Sequence, residues 1–315
     1  MKIVSCAQKN NIMKSFYKIV FALGFLTSLI SCQNEDSVSL TPDRPYDEVY
    51  AEDIAEIEDF LDTHYVTVDA DYNTTFTQIP DGGTQTPISA MPELTFKEVD
   101  LHDITYKVYY LNLREGSGEN ITRVDSSFVS YKGFSFSKTT FDNVDTYTQT
   151  VFDSKQSPIW LSLDEVIRGW TEIIPRFKTG TYSESSDGSI SFDNFGAGVI
   201  FIPSGLAYFS SGTLTIPSYS PLIFNFKLHN LRRRDHDQDG ILSMYEYGPD
   251  FDEDAIDTDG DGRPDYIDVD DDADGVLTKK EREIPGTDPV QYYDFANIPL
   301  CNSTGIKVHL TPECR

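Results

Sequence analysis

Alternation of polar and apolar residues in the middle of the chain constrains its fold more than any other feature. Segments 106–111 and 126–131 place apolar side chains at every second position, which is the period of a half-buried β-strand. Further strands are predicted at 159–163, 197–202 and 222–228. A short helix is predicted near residues 168–177, because Pro175 and Gly180 limit its extent. The pattern predicts an α+β domain that combines a β-sheet with a short helix.

The region before this domain has a different periodicity. Tyr46 to Tyr65 carries apolar residues at helical spacing among acidic ones, which predicts one amphipathic helix. Residues 33–45 are polar and contain two prolines, so they are interpreted as a tether. Residues 66–95 mix Thr, Asp, Gly and Pro and are predicted to form a loop.

Aromatic and branched aliphatic residues recur at intervals along the sheet domain. The hexapeptide 165–170 contains Val166, Ile167 and Trp170. The other segments of this kind are Val129–Gly133, Phe152–Ser154, Ile202–Tyr208, Ile216–Pro217 and Leu222–Phe224. In this order and at these intervals, they resemble the FKBP-type peptidyl-prolyl isomerases over residues 103–230. The resemblance implies an antiparallel β-sheet wrapped on a short helix, and an enzyme that acts on proline-containing polypeptides.

The resemblance also implies an apolar pocket as the site of isomerisation. Prolyl isomerisation needs no nucleophile and no cofactor, because its barrier of roughly 18–20 kcal/mol comes from amide resonance. Trp170 would form the pocket floor, and Asp153 would orient Tyr131 or the twisting amide. The Ile167 N–H and the Tyr208 hydroxyl would hold substrate carbonyls. The pocket walls would be Tyr131, Phe152, Val166, Ile167, Ile216 and Phe224.

The sequence departs from the family pattern at several positions. Phe209 and Ile173 stand where the family has glycine, and no arginine follows the segment 152–154 at the family spacing. Insertions at 134–148 and 183–195 lengthen segments that lie beside the pocket in the family fold. These departures keep a second interpretation open, in which the domain is a non-catalytic binding scaffold.

Acidic residues recur with regular spacing after the sheet domain. Two twelve-residue segments, 235–246 and 270–281, match the EF-hand loop, in which carboxylate, hydroxyl and main-chain oxygens surround Ca²⁺ and a glycine permits the sharp turn. The candidate ligands are Asp235, Asp237, Asp239, Ile241, Ser243 and Glu246 in the first loop, and Asp270, Asp272, Asp274, Val276, Thr278 and Glu281 in the second.

A further acidic loop lies between these two. Asp257, Asp259, Asp261, Asp265 and Asp268 repeat the spacing, with aspartate in the last place, and this variant is similar to thrombospondin type 3 repeats. A strand is predicted before Asp235, where an EF-hand pair would have an entering helix, so the expected role of calcium is structural. The alternative is a solvated acidic tail that binds no ion.

The N-terminal region predicts that the protein is located in the cell envelope. A short apolar run, 19–30, ends in Leu29-Ile30-Ser31-Cys32, which resembles the lipobox of bacterial lipoproteins. The resemblance implies that Cys32 is lipidated and anchors the protein in a membrane, with the outer membrane, on its periplasmic or surface face, as the expected location. A plain secretory signal or an uncleaved anchor is the alternative. Cys301 and Cys314 are predicted to form a disulfide in that oxidising compartment.

The charge of the chain narrows the choice of partners. A formal net charge of -27 excludes a nucleic-acid partner, because the protein surface would repel a polyanion. Calcium, proline-containing polypeptides and a membrane are the expected partners. The predicted organisation is a lipoprotein signal peptide (1–31), a tether with an N-terminal helix (32–102), an FKBP-like domain (103–230), a calcium-loop module (231–286) and a disulfide-closed tail (287–315).

Overall fold

The computed structural model describes residues 43–142, 144–247 and 255–314. From Arg44 onwards, these residues belong to one compact unit. Its elements in chain order are α1 (Tyr46–Thr63), β1 (His64–Val68), β2 (Thr74–Gln78), β3 (Leu94–Leu101), β4 (Ile104–Arg114), β5 (Ser126–Phe141), β6 (Val144–Ser162), α2 (Arg168–Ile173), β7 (Thr181–Glu184), β8 (Ile190–Asp193), β9 (Gly196–Ile202), β10 (Leu222–Arg232), α3 (Ser243–Glu246) and α4 (Thr278–Glu281).

Six of the strands form the central sheet. Their order is β3-β4-β9-β10-β5-β6, and every neighbouring pair is antiparallel. Two small two-stranded sheets, β1-β2 and β7-β8, accompany it. The chain is therefore a mixed α and β protein with antiparallel sheets. The strands predicted from alternation all lie within this central sheet.

Both faces of the central sheet are covered by apolar side chains. Along β10, Leu222, Phe224 and Phe226 face the cluster that contains α2, whereas Ile223 faces the cluster that contains α1. Successive side chains of a strand point to opposite faces, so a strand covered on both sides is buried at every position. Strand β9 shows this, since all seven of its residues are buried.

Helix α1 confirms the predicted amphipathic helix. Ile57 is buried and lies eight residues after Val49, three before Phe60 and four before Leu61, which places the four buried residues on one face. Phe60 packs against Phe136 and other residues of the second cluster. The helix therefore acts as the cover of one sheet face.

The prediction of a loop over 66–95 is wrong. This segment contains part of β1, all of β2 and the start of β3. Thr74–Gln78 is rich in threonine, which suits a half-exposed strand but supplies few apolar positions to reveal the alternation. Strand β3 also places the beginning of the central sheet before residue 103, where the domain was predicted to begin.

The two insertions form hairpins. Residues 134–148 extend β5 and β6 into a long antiparallel pair, and residues 183–195 include β8 and part of β7. Beyond β10 the chain has little regular structure, and Cys301 is joined to Cys314 by a disulfide. Among the described residues, no helix is long and apolar enough to cross a membrane.

Candidate functional site

Trp170 lies at the centre of an aromatic cluster on one face of the sheet. Its side chain is 3% exposed, because α2 directs it into the core beside β10. The rings of Tyr131 and Phe224 meet it edge to face, with centroids 5.3 and 5.2 Å away. Phe152 contacts Phe224 in the same way at 5.4 Å. Such edge-to-face contacts fix the positions of the rings.

The aliphatic candidates pack against the same cluster. Ile216 is buried within it, while Val166 and Ile167 are partly buried at its edge. Ile167 precedes α2, and its carbonyl accepts a hydrogen bond from the Trp170 N–H at 2.9 Å. The structure thus brings the predicted floor and walls together.

Asp153 forms the polar side of the cluster. The Tyr131 hydroxyl donates a hydrogen bond to its Oδ2 at 2.6 Å, and Lys155 Nζ binds Oδ1 at 2.8 Å. These two bonds hold the pKa of the Asp153 carboxyl below its usual range, with Lys155 as the larger cause. Lys155 therefore supplies a cation at this carboxylate.

The Tyr131 hydroxyl stays protonated in this arrangement. Burial raises its pKa, and the hydrogen bond to Asp153 and the nearby Tyr208 phenol add to the effect. Tyr208 is 37% exposed, which leaves its hydroxyl within reach of a ligand.

Phe209 explains one departure from the family pattern. Its backbone has φ of 45°, the left-handed region in which glycine is the usual residue. Its ring stacks on Tyr46 at 4.0 Å and meets Tyr219 edge to face at 5.1 Å. The phenylalanine keeps the glycine-like backbone, and its ring joins the loop 203–219 to helix α1.

A second contact fastens the same loop to α1. Asp53 Oδ2 accepts hydrogen bonds from the Ser204 N–H at 2.7 Å and from its hydroxyl at 2.6 Å. Burial raises the pKa of Asp53 to about 6, against the opposite effect of these bonds. This contact could not be predicted from the sequence, because Asp53 is one of many acidic residues along α1.

Glu172 is a buried carboxylate below the pocket floor. Lys97 Nζ lies 2.8 Å from its Oε2, Arg168 Nε lies 2.6 Å from Oε1, and Arg123 also binds Oε2. A buried charge needs such partners to offset the cost of desolvation. Lys97 and Arg123 thereby tie α2 to β3 and to the loop before β5, while Arg168 lies on α2 itself.

The three acidic loops share one pattern of hydrogen bonds. The first carboxylate accepts the glycine N–H, as Asp235 does from Gly240 at 3.1 Å. The third and fifth residues each accept an N–H from two positions ahead, as Asp237 and Asp239 do. The same bonds recur in the loops that begin at Asp257 and Asp270.

Among the described residues, this pattern leaves one oxygen without a hydrogen-bond partner on most aspartates of the first and third loops. The buried atoms concerned are Oδ1 of Asp235 and Asp270, and Oδ2 of Asp237, Asp239 and Asp272. Both carboxylate oxygens of Glu246 and of Glu281 are also without a hydrogen-bond partner in the part of the chain that the structure describes. Burial and neighbouring carboxylates raise the pKa of Glu246 to about 10 and that of Glu281 to about 8. This donor set of hard oxygens, with a glutamate free to bind through both atoms, fits a Ca²⁺ ion.

Asp271 is a candidate ligand that the sequence analysis missed. It belongs to the third loop, yet its carboxylate lies within 4.8 Å of ligand atoms of Asp237 and Glu246 in the first. Both of its oxygens are buried and have no hydrogen-bond partner among the described residues. Its position between two ligands gave no signal, since only loop packing brings it to the first site.

The remaining predicted ligands have other contacts. Ser243 and Thr278 accept a backbone N–H from the second residue of their own loop, each at 3.2 Å. Asp265 accepts the Thr258 N–H at 2.7 Å in the same way. The structure thus uses the ninth position of every loop to close the turn.

The middle loop is the most open of the three. Asp257, Asp259 and Asp261 are exposed and close together, but Asp268 is not part of this group and lies 3.6 Å from Arg263. The side chain of Ile241 is buried and that of Val276 is partly buried. The fit to a metal ion is therefore better in the first and third loops than in the middle one.

Comparison with known proteins finds relatives of two kinds. Over 136 residues, 43% of the chain, the sequence is 30% identical to the FKBP-type peptidyl-prolyl cis-trans isomerase FkpA of Escherichia coli (strain K12), and equally to that of Escherichia coli O157:H7. The matched region spans 42% of the length of these relatives. Residues 236–307 match the family model described as BamM C-terminal.

Solved structures of isomerases are also similar. The 1.6 Å crystal structure of a peptidyl-prolyl cis-trans isomerase from Pseudomonas syringae pv. tomato str. DC3000 is 19% identical, with 61% of this chain and 99% of that chain covered and a TM-score of 0.36. FkpA from Escherichia coli is 18% identical, with 74% and 75% covered and a TM-score of 0.35. The chain thus has FKBP-type peptidyl-prolyl isomerases among its relatives, over part of its length.

Proposed function

We propose that the protein is a peptidyl-prolyl cis-trans isomerase that acts on exported proteins. The observation that carries the proposal is the Tyr131–Asp153 hydrogen bond beside the aromatic cluster around Trp170. It joins a fixed polar group to an apolar surface in a chain that has isomerase relatives.

The chemistry requires the pocket to favour a twisted amide over a planar one. Water stabilises the planar, charge-separated amide, so an apolar site that excludes water lowers the barrier. The rings of Trp170, Phe152 and Phe224 would hold the proline ring in a fixed pose. The Ile167 N–H and the Tyr208 hydroxyl would hold the substrate carbonyls, while Asp153 fixes the direction of the Tyr131 hydroxyl. No step moves a proton or forms a covalent bond.

A protease-coupled proline-peptide isomerisation assay tests this proposal. The wild-type protein should accelerate isomerisation above the uncatalysed rate. Asp153→Val and Tyr208→Phe should lower the acceleration, whereas Asp81→Val, which removes an exposed carboxylate outside the site, should not. A wild-type protein that gives only the uncatalysed rate would refute catalysis.

The second candidate function is a non-catalytic scaffold that binds proline-containing segments. The observation that favours it is the attachment of the Tyr208 loop to α1 through Phe209 and Asp53. A loop held in this way can complete a binding surface without the adjustments that turnover requires. Peptide binding that is abolished by Trp170→Leu, combined with no rate acceleration, would support the scaffold.

The acidic loops are proposed to bind calcium as a structural cofactor. The unpartnered oxygens of the first and third loops support this, because buried carboxylates without a counter-charge repel one another. A bound Ca²⁺ ion would supply the missing positive charge. The residues of each loop would hold it through the oxygens that the backbone leaves free, and Asp271 would add a ligand to the first loop.

Calcium titration by calorimetry tests the metal sites. At least two ions should bind at millimolar calcium or below, and Glu281→Gln should remove or weaken one of them. Glu283→Gln is the matched control, since Glu283 pairs with Lys280 in the same module. The absence of binding at millimolar calcium would contradict the proposal.

The proposed location is the bacterial outer membrane, on its periplasmic or surface face, with a lipid on Cys32. Cys32 lies outside the described residues, so the support comes from the apolar run before it. The Cys301–Cys314 disulfide supports an oxidising compartment. Labelled palmitate should be incorporated into the wild-type protein and into Cys6→Ala, but not into Cys32→Ala. Equal labelling of the Cys32 variant would contradict the anchor.

A further inference from the structure

A polar cavity lies on the same face of the central sheet as α1, beyond the part of that face on which α1 packs. Its volume is about 510 Å³. On this face Phe134, Phe136 and Ile223 are apolar, but further along the same strands the side chains change to polar ones. Polar side chains of β2, β5, β6 and β10 line the cavity, among them Thr74, Ser130, Lys132, Lys155, Lys227 and His229. Pockets of this size hold small ligands.

Cations outnumber anions in the lining. Lys132, Lys155 and Lys227 contribute positive charge, and Asp71 is the only carboxylate among the lining residues. Lys155 is paired with Asp153, and Lys227 Nζ donates to the amide oxygen of Asn73 at 2.8 Å. Lys132 has no carboxylate partner among the described residues and lies over the Phe134 ring at 4.9 Å. In a chain with a net charge of -27, this concentration of lysines is local.

Buried polar atoms without partners mark the same place. Thr74 is 6% exposed and its hydroxyl has no hydrogen-bond partner among the described residues. His229 is 9% exposed; its Nε2 contacts the Ser130 hydroxyl at 2.9 Å, whereas its Nδ1 has no hydrogen-bond partner within the described part of the chain. Buried polar groups in native proteins are generally satisfied by the protein, by water or by a ligand.

A partly buried guanidinium adds positive charge beside the cavity. Arg114 lies between the rings of Tyr72 and Phe195, each with its centroid 4.2 Å from Cζ, and its buried Nη2 atom has no hydrogen-bond partner among the described residues. Burial, together with the charges of Lys227 and Arg114, lowers the pKa of His229 to about 4. The potential around His229 is therefore positive.

We propose that this cavity binds an oxyanion, the carboxylate or phosphate group of a small polar ligand. Lys132 and Lys227 would neutralise its charge, and the hydroxyls of Ser130 and Thr74 would donate hydrogen bonds to its oxygens. The volume exceeds that of an oxyanion alone, and the serine, threonine and amide side chains of the lining suit a ligand that also carries hydroxyl or amide groups. Most of the lining lies on the face of the sheet opposite the Trp170 cluster, because Ser130, Lys132 and Lys227 alternate with residues that face that cluster. Tyr131 is shared, since it lines the cavity and its ring also contacts Trp170.

Calorimetric titration with two probes tests the proposal. Acetate represents the carboxylate and sulfate represents the tetrahedral oxyanion, with chloride at equal ionic strength as the reference. At least one probe should bind to the whole protein in the millimolar range or tighter. Lys227→Gln and Lys132→Gln should each weaken binding by about tenfold, the effect of one lost charge-assisted contact.

Lys107→Gln is the matched control, because it removes a lysine that does not line the cavity. This variant should bind the probe as the wild type does, and the relative strengths of acetate and sulfate binding would identify the oxyanion. No binding of either probe would overturn the proposal, as would equal affinity in the Lys227, Lys132 and Lys107 variants.

Discussion

At the scale of single residues, Gly133 permits the close packing of the aromatic cluster. A β-carbon at this position would lie 2.6 Å from Phe152 Cζ and 2.9 Å from Phe224 Cε1. These distances are shorter than van der Waals contact, so the two rings reach their observed positions only beside a glycine. The position of this glycine in β5 therefore determines how closely the two rings of the site can pack.

Gly133→Ala should therefore damage both stability and activity. Displacement of the Phe152 ring should cost about 1–3 kcal/mol of unfolding free energy, as overpacking does. It should also lower isomerase activity by on the order of tenfold or more, because the wall of the pocket moves. Urea unfolding and the proline-peptide assay measure the two effects.

A double variant separates the clash from other causes. Adding Phe152→Leu to Gly133→Ala removes the ring that the new methyl group meets, so much of the lost stability should return while activity stays low. Wild-type activity in the single variant would contradict the proposed role of Phe152 as a wall.

Titration of the buried Asp53 carboxyl should make the stability of the protein depend on pH. Its pKa rises from 3.8 to about 6 on folding, so the folded protein binds the proton more tightly than the unfolded chain. Stability should therefore fall as the pH rises from about 4 to about 6, by about 2–3 kcal/mol at most. Asp53→Asn keeps an acceptor for Ser204 but does not ionise.

The comparison of the two pH profiles isolates this residue from the many other acids. Unfolding free energies at pH 4 and pH 7 should differ less in Asp53→Asn than in the wild type. Parallel profiles would show that the buried carboxyl does not titrate in this range.

At the scale of elements, periodicity predicted the parts that are buried. Alternation located β4 and β5, apolar segments located β9 and β10, and helical spacing located α1, because one face or both faces of each element pack on apolar residues. Strand β2 was not predicted, because it pairs with β1 through its backbone while its threonine side chains show no alternation of polar and apolar residues.

The candidate site was predictable for a similar reason. The resemblance located Tyr131, Asp153 and Trp170, and the structure brings them together. It could not reveal the attachment of α1 to the loop 203–219, since residues such as Asp53 and Ser204 meet only after the chain has folded. Contacts between distant segments leave no periodic signal in a single sequence.

The attachment of α1 leads to a prediction about the loop that carries Tyr208. Tyr46→Ala removes the ring on which Phe209 stacks, so residues 203–219 should open more often. Faster hydrogen exchange in this loop, together with weaker peptide binding, is the expected result. Tyr182→Ala is the control, because this tyrosine is 66% exposed in the hairpin β7–β8. Unchanged exchange at 203–219 would show that Asp53 suffices to hold the loop.

At the scale of the whole molecule, the acidic loops and the sheet domain are in direct contact. His236, the second residue of the first loop, lies 3.0 Å from Asp164 through its Nε2. Asp164 precedes the segment 165–170, and a cavity of about 210 Å³ separates Val166 from Tyr266 of the loop region. The His236–Asp164 contact therefore connects the first loop to the segment that forms the edge of the candidate pocket.

The first and third loops are also held to each other. Arg282 Nη1 donates to the Asp239 carbonyl at 2.6 Å, and Lys279 Nζ donates to the Gln238 carbonyl at 3.1 Å. The sequence could not predict this pairing, because the two loops are separated by the middle one. It is this packing that directs the Asp271 carboxylate towards the first site.

Asp271→Asn should therefore weaken calcium binding by a loop to which Asp271 does not belong. The first loop loses a negative ligand while the third keeps all of its own, so one of the two tighter sites should lose affinity by about tenfold or more. Calcium titration monitored by hydrogen exchange assigns the loss, which should appear as reduced protection at 235–247. Asp294→Asn, which removes an exposed carboxylate of the C-terminal tail, should leave both sites unchanged. Loss of protection confined to 270–281 would instead show that Asp271 serves only its own loop.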